Sequence, residues 1–129
     1  GQIERADQLV AAKRRVFSWY EEFLSGTSGA QLMKEPEWSK SIYWMTNLML
    51  DENCGYTRDE FCAELKEMKV DTRPVFPCIG RYPMWDELEN PQAKKASDLG
   101  INLPSGVCLS KDEVRYVCDC IKKLLKKNN

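Results

Sequence analysis

Apolar residues over the first two dozen positions fall on one side of a helical wheel. Ile3, Val10, Phe17 and Leu24 recur every seven residues, and Leu9, Val16, Tyr20 and Phe23 widen the stripe. The spacing predicts a long amphipathic helix that ends at Ser25 and Gly26. The stretch SGTSGAQLMKEPEW that follows holds Gly, Ser and Pro without a sustained period and reads as a loop. Ser41 to Asp51 is rich in aromatic and apolar residues at strand length and reads as a strand, with Tyr43 and Trp44 as sheet and core packing.

Thr57 and Glu60 then form a T-x-x-E capping box, in which hydroxyl and carboxylate satisfy each other's backbone donors. The helix it opens runs to about Lys69, with Phe61, Leu65 and Met68 inward and Glu60, Glu64, Lys66, Glu67 and Lys69 outward. Val70 to Phe76 turns strand-like, and Pro74, which lacks an N–H, marks it as an edge or a short strand. Pro77 to Trp85 follows neither period. Two prolines, a glycine, two aromatics and an arginine suggest an ordered loop that offers side chains outward. Asn90 and Pro91 start a short helix that stops at Gly100, and Ile101 to Pro104 allows only a brief extended piece. Ser110 and Glu113 make a second capping box before a helix whose last turns carry Lys122, Lys123, Lys126 and Lys127, cations suited to the negative end of the helix dipole. Helices covering a small sheet in one α+β domain follow from this order. The helix at 57–69 could be a crossover or a long antiparallel return.

Composition narrows the chemistry. A chain of 129 residues with 43% apolar and 30% charged positions suits one globular domain. A net charge of −1 gives no field to draw in nucleic acid or an anionic membrane, and neither is expected as a partner. Histidine is absent, which removes the commonest general base and metal ligand, so no metal site or imidazole triad is expected. The six cysteines show no C-x-x-C pair and no basic-then-apolar signal segment precedes them, so they read as reduced thiols of a cytoplasmic protein. Cys118 and Cys120 should face nearly opposite sides of their helix. The basic triplet Lys13, Arg14 and Arg15 reads as a solvated face, with a phosphate or partner site as the alternative.

The order of motifs carries a resemblance. GQIERADQLVAAKRRVFSWYEEFL, then YWMTNLMLD, RDEFCAELKEMKVDTRPVF, PMW and ASDLGINLPSGVCLSKDEVRYVCDCI resemble, in sequence order, the C-terminal small domain of DegT/StrS-type sugar aminotransferases. The likeness spans nearly the whole chain. It implies a small, mainly antiparallel sheet covered by helices, as in the C-terminal domain of fold type I enzymes. It also implies that residues 1–129 are one domain of a longer, homodimeric aminotransferase, whose pyridoxal-phosphate-binding large domain is absent here. The lysine that bonds the cofactor and most phosphate contacts would lie in that large domain, so this fragment is expected to hold no cofactor and to be inactive alone.

The implied reaction moves an amino group from an amino-acid donor to a nucleotide-linked keto sugar, in polysaccharide or deoxyamino-sugar biosynthesis. The family segment T-R-P-x-F-x-P-L-H-x-x-P-x-Y falls on Thr72 to Trp85, matching Thr72, Arg73, Pro74, Phe76 and Pro83. Gly80 stands where the family histidine faces the sugar, and Trp85 replaces a tyrosine. Arg73, Gly80, Arg81, Tyr82 and Trp85 are therefore the implied substrate-binding positions, with none catalytic. The alternative is a free-standing, non-catalytic binding module built on the same fold.

Overall fold

The computed structural model describes residues 1–85 and 89–127. After a 3-10 turn at Ile3–Arg5, α1 (Ala6–Leu24) leads to β1 (Ala30–Leu32), β2 (Thr46–Leu50) and α2 (Arg58–Glu67). Next come β3 (Arg73–Pro74), a second 3-10 turn (Ile79–Arg81), α3 (Pro91–Leu99), β4 (Gly100–Leu103) and α4 (Lys111–Lys127). The four strands order as β1-β2-β4-β3, every neighbour antiparallel. The architecture is the expected α+β, with helices over a small antiparallel sheet. Since β2 and β3 are both antiparallel to β4, they run parallel to each other, and α2 is a crossover that leaves a slot for β4.

Both capping boxes form. Glu60 N–H donates to Thr57 Oγ1 at 3.3 Å while Thr57 N–H donates to the Glu60 carboxylate at 2.9 Å. Ser110 and Glu113 repeat the exchange at 3.2 and 2.8 Å. Pro91 opens α3 at its first turn, whereas the Asn90 side chain makes no capping bond. The main core joins Leu48, Leu50, Ile101 and Leu103 from the sheet to Val16, Tyr20 and Leu24 of α1, Phe61 and Leu65 of α2, and Val114, Cys118 and Ile121 of α4. Tyr20, fully buried, donates its hydroxyl to Pro104 O at 2.8 Å, which removes an orphan acceptor from the interior.

Several sequence expectations change. Ala30–Leu32, read as loop, is an edge strand held by β2. The strand expected from Ser41 begins only at Thr46, because Tyr43 sits at φ +47° and turns the chain. The strand expected over 70–76 shrinks to Arg73–Pro74 at the sheet edge, where a missing N–H costs least. The brief extended piece after Gly100 does form, and the structure adds that it is a central strand, buried on all four residues. Ile3, placed on the helix stripe by its period, is exposed. Cys118 and Cys120 do lie about 200° apart around α4, but both are buried, because the stripe between them is wide enough for each to occupy a flank.

Gly100 joins α3 to β4 at φ −84°, ψ 136°, which any residue can adopt. Its constraint is space. A Cβ there would meet Ala96 O, Val75 Cγ2 at 2.7 Å and Val75 Cβ at 3.0 Å. The crowding arises because Gly100 N–H donates to Ala96 O while Val75 N–H donates to Gly100 O at 2.9 Å. This close approach brings the segment after β3 against the end of α3.

Candidate functional site

On the sheet, side chains of paired residues share a face, so the register Asn47, Asn102, Arg73 makes a polar row on the side opposite Leu48 and Ile101. The buried Asn102 accepts from Asn47 Nδ2 at 2.8 Å and donates to Pro74 O at 3.0 Å. Its amide thus holds the edge strand in register. Arg73, at the end of this row, has a side chain 74% exposed and touches Asp71 at 3.2 Å. A planar guanidinium with donors still turned to solvent can take a carboxylate or phosphate.

Of the five sequence-nominated positions Arg73 lies in β3 and the other four in the segment that leaves it, and the structure gives them different surroundings. Cys78 is buried and anchors the turn, whose backbone closes through Arg81 N–H to Cys78 O at 3.0 Å and Tyr82 N–H to Ile79 O at 3.1 Å. Gly80 sits within that turn. Arg81 is committed elsewhere: both terminal nitrogens donate to Asp98 of α3, at 2.5 and 2.6 Å. The bond holds the Asp98 carboxyl below its ordinary range. Asp98 follows Ser97, whose carbonyl accepts from Arg58 of α2, so the end of α3 braces two elements. Tyr82 and Trp85 point outward, half exposed.

A second segment, missed from sequence, meets the first. Trp44 is 58% exposed and stacks on Phe76, itself 67% exposed, with ring centroids 6.5 Å apart and 13° between planes. Among the described residues, every exposed large apolar side chain except Ile3 and Tyr116 lies in residues 33–44 or 76–85. Met33, Trp38 and Ile42 belong to the first; Ile79, Met84 and Trp85 to the second. This concentration on two segments that meet at the Trp44–Phe76 stack makes them the candidate contact surface of the chain. The sequence signal for it was weak, because tryptophans in a Pro- and Ser-containing stretch look the same whether they face inward or outward.

The basic triplet is not simply a solvated face. Lys13 Nζ donates to Trp44 O at 2.7 Å and Ser105 O at 2.6 Å, and burial pulls its pKa down. Arg14 grips Glu35 with two nitrogens, at 2.8 and 2.5 Å, and Arg15 lies over the Trp19 ring at 5.6 Å.

All six cysteines are unpaired. Among the described residues no cluster of three metal-ligating side chains forms, and no helix is long and apolar enough to cross a membrane. Lys13, whose pKa burial lowers, already serves two carbonyls, and Lys34, beside a surface hollow lined by Glu21, Leu24, Gln31 and Leu48, pairs with Glu21 at 2.6 Å. No reaction step is therefore assigned to a cofactor on this chain.

Comparison with known proteins agrees with this geometry. The chain is 34% identical over 125 residues to GDP-perosamine synthase of Vibrio cholerae, covering 94% of this chain and 34% of that protein. It is 32% identical over 124 residues to GDP-perosamine synthase of Escherichia coli O157:H7, covering 95% and 33%. It thus spans about a third of the length of these relatives. Among solved structures, the aminotransferase TlmJ from Streptoalloteichus hindustanus superposes with a TM-score of 0.85 at 22% identity, over 98% of this chain and 34% of that one. DesI, solved in the presence of its TDP-sugar product, matches with a TM-score of 0.85 at 20% identity, over 98% and 34%. With residues 1–122 matching the family model, the chain belongs to the DegT/DnrJ/EryC1/StrS aminotransferase family.

Proposed function

We propose that this chain is the C-terminal small domain of a longer pyridoxal-phosphate-dependent aminotransferase acting on a nucleotide-linked keto sugar, and that it forms the substrate-side edge of the cleft. The carrying observation is the apolar surface of segments 33–44 and 76–85, left open beside Arg73 in a chain one third the length of its relatives. Two of those relatives are GDP-perosamine synthases, which supports a sugar nucleotide as substrate. In the longer protein the bound cofactor supplies the electron sink for amino transfer. The remainder of that protein would cover the apolar surface, and a homodimer fits the same reading.

Within this reading the nominated residues divide by what they already hold. Arg73 is the anion ligand, because a single contact to Asp71 leaves its fork available. Tyr82 and Trp85 offer a hydroxyl and ring faces to a sugar or base. Gly80 contributes no side chain, so its turn admits a bulkier substrate group than a histidine would. Arg81 serves by bracing the turn through Asp98. The test is steady-state kinetics of the full-length enzyme: Arg73→Ala should lower kcat/KM for the nucleotide sugar at least about tenfold, the loss of one charge-assisted contact. Unchanged kcat/KM in both Arg73→Ala and Tyr82→Phe would remove this segment from the cleft.

A further inference from the structure

Residues 33–45 connect β1 to β2 without regular structure, yet they carry Trp44 to a defined place against Phe76. A segment this long needs something to order it, and of its large hydrophobic residues Met33, Trp38, Ile42 and Trp44 are exposed, leaving Tyr43 as the one that is buried. The ordering groups come from α1. Glu35 receives both Arg14 nitrogens and also the Ser41 N–H at 2.5 Å. Arg14 donates further to Ser41 O at 2.5 Å. The Tyr43 hydroxyl accepts from Glu35 N–H at 3.0 Å, and the Tyr43 ring stacks on Phe17 at 3.7 Å with Arg14 5.4 Å from its centre.

These bonds close the segment upon itself at Glu35, Ser41 and Tyr43 and fasten the closure to one helix. The backbone strain of Tyr43 at φ +47° is tolerated because its surroundings over-determine it. That turn sends Tyr43 inward and Trp44 outward, and Lys13 then ties the Trp44 carbonyl to that of Ser105, two residues beyond the end of β4.

We infer that Lys13, Arg14 and Glu35 form a clasp that sets the position of Trp44, with Arg14 and Glu35 as positioning residues for the apolar surface. The planar fork is essential to it, because two parallel bonds fix the carboxylate's orientation as well as its distance. The clasp is a property of this chain; what the surface meets rests on the function proposed above. The basic triplet, which the sequence suggested was a solvated face, is thereby largely occupied.

Hydrogen exchange on the 129-residue chain tests the clasp. Glu35→Gln and Arg14→Lys should each speed exchange at the Ser41 amide by about tenfold or more while leaving Leu48 and Ile101 of the sheet unchanged. Both should also alter the near-ultraviolet signal of the Trp44–Phe76 stack. Phe76→Leu, which removes the stack directly, should change that signal with Ser41 exchange at its original rate. Wild-type exchange in Arg14→Lys, or acceleration spread equally over the sheet, would overturn the clasp. In the full-length enzyme, Glu35→Gln should raise KM for the nucleotide sugar with kcat retained. If the exchange result holds and KM does not move, the clasp stands and the cleft reading is what fails.

Discussion

Gly100→Ala tests how the sheet and the 72–85 segment are held together. The substitution adds one methyl group to a position whose backbone angles suit alanine, so any cost is steric. Two of the three obstacles are rigid. Ala96 O is fixed because it accepts the Gly100 N–H at the end of α3, and Val75 Cβ, 3.0 Å from the new atom, is fixed by the Val75 N–H bond to Gly100 O. Only Val75 Cγ2, at 2.7 Å, can rotate away. Overpacking of a site that cannot relax costs about 2–3 kcal/mol, the upper part of the usual range. With an unfolding entropy of about 2.1 cal/mol/K per residue over 129 residues, that lowers Tm by roughly 7–11 °C. Calorimetry or a circular-dichroism melt of the chain measures it. The double variant Gly100→Ala with Val75→Ala should recover only part of the loss, since it clears Cγ2 and leaves Ala96 O and Val75 Cβ in place. A melting temperature within about 2 °C of the original, or full recovery in the double variant, would refute the reasoning.

Other expectations follow from buried and ionised groups. Tyr20→Phe leaves Pro104 O without its donor inside the core and should cost about 1–2 kcal/mol by urea denaturation. Thiol labelling of the native chain at pH 8 should modify the exposed Cys108 first and Cys118 last, because burial pushes the Cys118 thiol up to about 12; in denaturant all six should react. A native, unreduced chain with missing thiols after unfolding would contradict the unpaired state. The Arg14 bond, the Ser41 amide and nearby Lys40 hold the Glu35 carboxyl down at about 2, so its contribution is complete above the ordinary value of 4.5 and is lost as pH falls from there towards 2. Glu60, Glu113 and Asp98 shift in the same direction, so the diagnostic quantity is the difference between the original chain and Glu35→Gln across that window. The stability difference should shrink on acidification; a constant difference would place the Glu35 contribution outside charge.

Local chemistry was legible in the sequence. The two capping boxes, Pro91 at a helix start and the apolar stripes of α1, α2 and α4 each depend on neighbours within one turn, so spacing alone specified them. The α+β class followed from their order, and the edge position of β3 followed from Pro74. The segment Pro77 to Trp85, with Gly80, Arg81, Tyr82 and Trp85, stood out because its residue types fit neither period.

What the sequence could not decide depended on partners far along the chain. β4 is too short to announce itself, and it becomes a central strand because β2 and β3 supply hydrogen bonds on both sides. Trp44 shares the parity of Thr46, Leu48 and Leu50, which would point it into the core, until the turn at Tyr43 reverses it. Arg81 is an anion ligand by residue type and a brace by position, once α3 brings Asp98 to it. Lys13 and Arg14 read as solvated cations because their acceptors, Ser105 and Glu35, lie 92 and 21 residues away. Periodicity reports which face of an element is apolar; only the tertiary arrangement decides which polar groups meet across that distance, and here it places them beneath the surface that carries the proposed function.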